Sequence, residues 1–134
     1  MTTQPLNAEP GRVTVALVIL ATIFVFAGSM HFVKPSWFVR IVPPWLPAPL
    51  ALVLISGAFE ALGGVGILVP VTRVAAGWGL IALLVAVFPA NVQMLLDAHA
   101  ANASRLWQGM LVARLPLQPV LIYWVYKAAV KFVP

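Results

Sequence analysis

The sequence predicts an all-α protein, a bundle of four transmembrane helices with a short interfacial segment rich in proline and tryptophan between the first and second. Three observations carry that prediction. The chain is 63% hydrophobic and only 8% charged, whereas about a quarter of the residues in a soluble domain are charged. Its apolar residues gather into runs close to the roughly 20 residues needed to cross a hydrocarbon core about 30 Å thick. Four such runs and their short connections nearly exhaust the 134 residues, so a single domain over 13–134 is expected.

Residues 1–12 (MTTQPLNAEPGR) are polar and contain two prolines, and read as a disordered tail. The first span is expected over 13–32, beginning VTVALVILATIFVFAG. Arg12 before it and AGS within it resemble a signal peptide, but the run is longer than the roughly 7 to 15 apolar residues of a signal core. Residues 50–69 (LALVLISGAFEALGGVGILV) form the second span, and only PVTR separates it from the third at 74–96, which makes a tight helical hairpin. DAHAANAS, 97–104, reads as a polar loop. The fourth span, 106–126, is expected to be broken by LPLQP and is followed by Lys127 and Lys131.

Between the first two spans lies HFVKPSWFVRIVPPWLPAP, residues 31–49, with a histidine, two cations, two tryptophans and five prolines. A plain loop has no use for Phe38, Ile41, Val42 and Leu46 as well. The stretch is expected to begin as a short interfacial helix after Pro35, turn rigidly at Pro43-Pro44, and lie as a lid over the outer mouth of the bundle. Prolines leave fewer amide donors to satisfy near a bilayer. Trp37, Trp45 and, at the fourth span, Trp107 are read as membrane-interface anchors.

The formal charge is +5, but the eight cations are scattered beside apolar runs. That suits lipid headgroups and topology and argues against nucleic acid. One membrane face receives Arg12, Arg73, Lys127 and Lys131, and the other Lys34, Arg40 and Arg105, with Arg114 inside the span. The bias favours a multi-pass protein with cytoplasmic termini. No cysteine is present, which excludes disulfides, thiolate catalysis and cysteine-ligated metals.

Ionisable groups inside a span are costly and mark candidate sites. At 1.5 Å per residue, Glu60 lies roughly 15 Å from the outer end of the second span, and Arg114 about 10 to 12 Å below the same surface in the fourth. The two are therefore expected to reach each other. His31, Asn91, Gln93 and Gln118 fall in the same outer half, which suggests a polar pocket opening outward. Helical spacing places Glu60 on a stripe of small residues with Ser56, Gly57, Gly63 and Gly64, and such stripes let transmembrane helices approach closely. Arg114 shares a face with Gln118, and His31 with Ala27 and Gly28. The candidate ligand-binding set is therefore His31, Glu60, Asn91, Arg114 and Gln118.

Each of these has a plainer reading. Glu60 and Arg114 could form only an architectural pair, His31 could be an interfacial hydrogen-bonding group, and Asn91 could satisfy a carbonyl freed by Pro89. No catalytic motif is found, and no metal site: GGVG at 63–66 lies in an apolar helix and cannot be a phosphate loop. Bis-histidine haem ligation by His31 and His99 has only their shared side of the membrane in its favour.

Three blocks, AGSMHFVKPSWFVRIVPPWLP, ISGAFEALGGVGILVPVTRVAAGWGLIALLVAVFPANVQM and RLPLQPVLIYW, taken in order, resemble the DoxX family of small bacterial membrane proteins over about residues 15–126. The resemblance implies a four-helix protein of the bacterial cytoplasmic (inner) membrane. Family members include a subunit associated with thiosulfate:quinone oxidoreductase, and relatives are linked to methylamine utilisation and to thiol or oxidative stress. It supplies no catalytic residues.

Three functions are weighed on this basis. The first is an accessory or ligand-binding subunit in membrane redox or stress metabolism that is not itself an enzyme. It would take a quinone or another lipophilic ligand and work with a membrane or soluble redox partner protein, or as a homo-oligomer, since the chain has no redox centre of its own. The second is a structural or assembly protein. The third is a small proton-coupled exporter, although small multidrug exporters keep their key carboxylate in the first span, which here has none.

Overall fold

The structure, a computed structural model, describes residues 12–131; the expected tail lies outside the described residues except for Arg12. Every regular element among the described residues is helical. Helix α1 spans Val15–Val33, a short α2 spans Pro35–Val39, α3 spans Pro49–Gly66, α4 spans Arg73–Ala100 and α5 spans Arg105–Val125, continued by one π-helical turn at Tyr126–Val130. Helices α1, α3 and α4 are long and apolar enough to cross a membrane.

Local chemistry explains most of the boundaries. Thr14 caps α1, its hydroxyl accepting from the Leu17 amide at 3.2 Å. At the other end Pro35 cannot continue the ladder, so Lys34 leaves the helical region (φ −133°) and Pro35 opens α2 as its first residue. The short helix expected after Pro35 is therefore present, and a hydrogen bond from the Leu46 amide to the Pro43 carbonyl (3.0 Å) closes the turn after it. Ala48, in the left-handed region at φ 48°, redirects the chain so that Pro49 can start α3.

Two expectations are corrected. Residues 97–100 are not loop but the last turn of α4. Alanine-rich sequence is intrinsically helical, and the Gln93 amide donates to Asp97 Oδ1 one turn away at 2.8 Å. The helix stops at Asn102, which takes the left-handed conformation (φ 52°). The Asn102 amide then bonds the His99 carbonyl and the Ala103 amide the Ala98 carbonyl, the paired closure typical of such an end. Nor does LPLQP break α5: Pro116 and Pro119 both lie inside a continuous helix, and lost amides of this kind are tolerated where neighbouring groups compensate.

Helices α1 and α3 make the most intimate contact. A Cβ on Gly28 would lie 2.6 Å from the Gly57 carbonyl oxygen, and one on Gly57 only 2.5 Å from His31 Cβ. Only glycine lets the two backbones come this close. The small stripe of α3 thus serves two neighbours: Gly57 and Gly64 face α1, while Gly63 faces Leu80 of α4. Leu17, Leu20, Phe24, Ile67, Leu80 and Val125 form a solid core toward the Arg73 end. Outward, Phe26 and Leu62 are 67% and 68% exposed, large apolar groups of the kind that mark a membrane-facing surface.

Arg73 closes that end. Its Nε donates to the Ile67 carbonyl at 2.8 Å and its Nη2 to that of Leu68 at 3.3 Å, just beyond the end of α3, while Nη1 reaches the Arg12 carbonyl at 3.4 Å. A cation at a helix C-terminus also complements the helix dipole. The sequence reading treated Arg73 only as a topology charge, yet it is buried and structural.

Candidate functional site

The opposite half is hollow. The π-helical turn after α5 touches both α4 and α1, whereas the main contact of α5 itself is with α4. A cavity of about 790 Å³ is left between α1, α3, α4 and α5, within the roughly 300 to 1,000 Å³ of small-molecule sites. Its wall is mostly apolar. Its roof is the 31–49 segment, which contributes Trp37, Phe38, Ile41, Val42, Pro43 and Leu46.

All five sequence-selected residues line this cavity: His31, Glu60, Asn91, Arg114 and Gln118. They form two separate groups. On the α1/α3 wall, His31 is buried, with Nδ1 2.9 Å from the Val53 carbonyl oxygen and Nε2 3.5 Å from Glu60 Oε2. A carbonyl can only accept, so Nδ1 is the donor there and Nε2 is the nitrogen that faces Glu60. Ser56 donates to the same carbonyl at 3.0 Å and lies 3.3 Å from Nδ1. Phe38 of the roof covers the imidazole, ring centroids 3.9 Å apart. Ser56 and Phe38 belong to this group but were not among the selected residues. The i, i+4 step from Ser56 to Glu60 signals one, and the apolar residues of the 31–49 segment signal the other as part of a lid, without its contact to the imidazole.

The α4/α5 wall carries the second group. Asn91 Nδ2 donates to Gln118 Oε1 at 2.5 Å, and Gln118 Nε2 donates to the Leu84 carbonyl. Pro89 has no amide to donate to Val85 one turn back, which interrupts the α4 ladder beside the Leu84 carbonyl that Gln118 bonds. The chain of bonds pins α5 to α4.

The expected Glu60–Arg114 ion pair is not formed. Glu60 is taken by His31, while Arg114 is exposed to the cavity and its Nη1 contacts Met94 Sδ at 3.6 Å. The depths agree with a pair, but α3 packs between α1 and α4 and turns Glu60 toward α1. His99 lies outside the cavity, hydrogen-bonded to Gln108 at 3.2 Å. Among the described residues no cluster of three or more His, Asp or Glu could hold a metal ion. Trp37, Trp45 and Trp107 are 51%, 71% and 45% exposed at the cavity end, and Lys34 Nζ sits 5.8 Å from the Trp37 ring centroid.

Residues 20–129 match the family described as a domain of unknown function, DUF8561, and the chain belongs to that family. No curated protein matches the chain, and no solved structure does.

Proposed function

For this member of the DUF8561 family we propose a membrane-embedded ligand-binding protein, an accessory subunit of redox or stress metabolism that takes a quinone-like or other lipophilic small molecule. The observation that carries the reading is the roofed cavity of about 790 Å³ with the His31–Glu60 contact in its wall. An apolar chamber with a few convergent polar groups is the usual form of a small-molecule site. Glu60 and His31 exchange a proton with the ligand or its surroundings, and an electron-carrying partner protein supplies what the chain lacks.

The reading includes a fourth membrane span. At 21 residues α5 is about 31 Å long, sufficient for a hydrocarbon core, and its polar residues Asn-bonded Gln118 and Arg114 face the cavity side. The resemblance to the DoxX family supports the four-span topology and the bacterial inner membrane, and the cation count supports cytoplasmic termini.

The test is titration of the purified protein in lipid nanodiscs with a short-chain ubiquinone analogue, read by quenching of tryptophan fluorescence. Saturable quenching is expected, weakened at least tenfold (about 1.4 kcal/mol) in Glu60→Gln. Absence of any saturable component would count against it. A structural or assembly role is the second reading, favoured by the Gly28–Gly57 contact that the His31–Glu60 pair flanks. Under that reading Glu60→Gln removes the protein from the membrane fraction.

A further inference from the structure

Three ionisable side chains line the cavity: His31, Glu60 and Arg114. His31 Nδ1 lies 2.9 Å from the Val53 carbonyl oxygen and Nε2 3.5 Å from Glu60 Oε2, so the two face each other across the α1/α3 wall. Arg114 has no such partner. Its protein contact is a thioether sulfur, a weak acceptor. The two carboxylates among the described residues are engaged elsewhere, Glu60 by His31 and Asp97 by Gln93. The cavity therefore holds a guanidinium charge that meets no carboxylate among the described residues.

The position makes that charge informative. Arg114 stands nine residues beyond the start of α5, about 13 Å along the axis, and opens onto a chamber walled by Ile23, Phe24, Leu83, Val87 and Leu121. A guanidinium held beside apolar walls is costly until an anion meets it, and its planar fork matches a carboxylate with two parallel hydrogen bonds. Resting on the ligand-binding reading of this cavity, we infer that its ligand is a lipophilic carboxylic acid, with its carboxylate on Arg114 and its apolar body under the roof formed by Phe38 and Leu46.

The experiment uses the full chain in phosphatidylcholine nanodiscs with a diazirine-bearing palmitic acid and, separately, its methyl ester, labelled sites being located by mass spectrometry. Saturable labelling of the cavity wall by the acid is expected at a concentration at least tenfold below that needed for the ester. Arg114→Gln should erase that preference while ester labelling persists, and Arg114→Lys should recover part of it. Equal labelling by acid and ester in the unaltered protein would overturn the inference and leave the cavity reading standing. No saturable labelling by either would overturn both. Loss of acid labelling in phosphatidylglycerol nanodiscs would overturn the free acid as occupant in favour of the bilayer's own anionic headgroup.

Discussion

The two ends of this molecule are built from the same helices and differ in what fills the space between them. Toward Arg73, Leu17, Leu20, Phe24, Ile67, Leu80 and Val125 interlock with almost no exposure. Toward His31 the same helices leave an open, mostly apolar cavity of about 790 Å³, and its polar side chains other than Arg114 are bonded in two separate groups. The difference teaches where each end gets its stability. The solid end depends on shape, through close-packed aliphatic groups. The hollow end depends on individual bonds: His31 to Val53 and Glu60, Gln118 to Asn91 and Leu84, and Phe38 over His31.

The largest test of that comparison strikes the close contact of α1 with α3 beside His31. In Gly28→Leu the new side chain meets the Gly57 backbone, which cannot yield. Destabilisation at or above about 3 kcal/mol is expected, the upper end for overpacking, seen as loss of the monodisperse peak on size-exclusion chromatography. Next come paired truncations. Leu80→Ala in the solid end should cost about 2 to 4 kcal/mol, as buried leucines do. Leu117→Ala, whose side chain is 61% exposed on the cavity side, should cost under about 1 kcal/mol. Denaturant titration of both variants decides the point, and equal costs would abolish the contrast between the ends.

Smaller effects sharpen the role of single bonds. Gln118→Leu leaves Asn91 and the Leu84 carbonyl without their partner and should cost about 1 to 3 kcal/mol, with faster amide exchange in α4 around Pro89 as its local signature. Arg114→Gln should be the mildest, within about 0.5 kcal/mol in thermal unfolding, because the guanidinium makes no strong protein bond. A large destabilisation there would mean that Arg114 holds the fold, and the division between bonded and unbonded polar groups would have to be redrawn.

How much of this is legible in the sequence depends on the kind of information. The depth of each polar residue along its helix is legible, because the rise per residue is fixed, and so the five candidate residues do line one cavity. Their partners are not. Both His31 and Arg114 lie within reach of Glu60 in depth, and the choice between them follows from which helix α3 leans on. The Gly28–Gly57 approach settles that in favour of α1. Polarity also misleads at 97–100, where a helix can run on past its apolar stretch until a left-handed Asn102 ends it. Pro116 and Pro119 mislead likewise, since a proline weakens a helix by about 3 kcal/mol without forcing it to stop.

By itself, then, the sequence determines the all-helical character, the apolar spans, the helix after Pro35 and the half of the molecule that is polar, all of which follow from local propensity, hydropathy and helical periodicity. Only the tertiary structure decides that His31 and not Arg114 holds Glu60, that Gln118 ties α5 to α4 through Asn91 and the Leu84 carbonyl, that Arg73 is buried as a helix cap, and that one end is solid while the other is hollow. These depend on the rotation of each helix about its axis and on which helix lies beside which. Packing sets both through contacts between residues far apart in the chain.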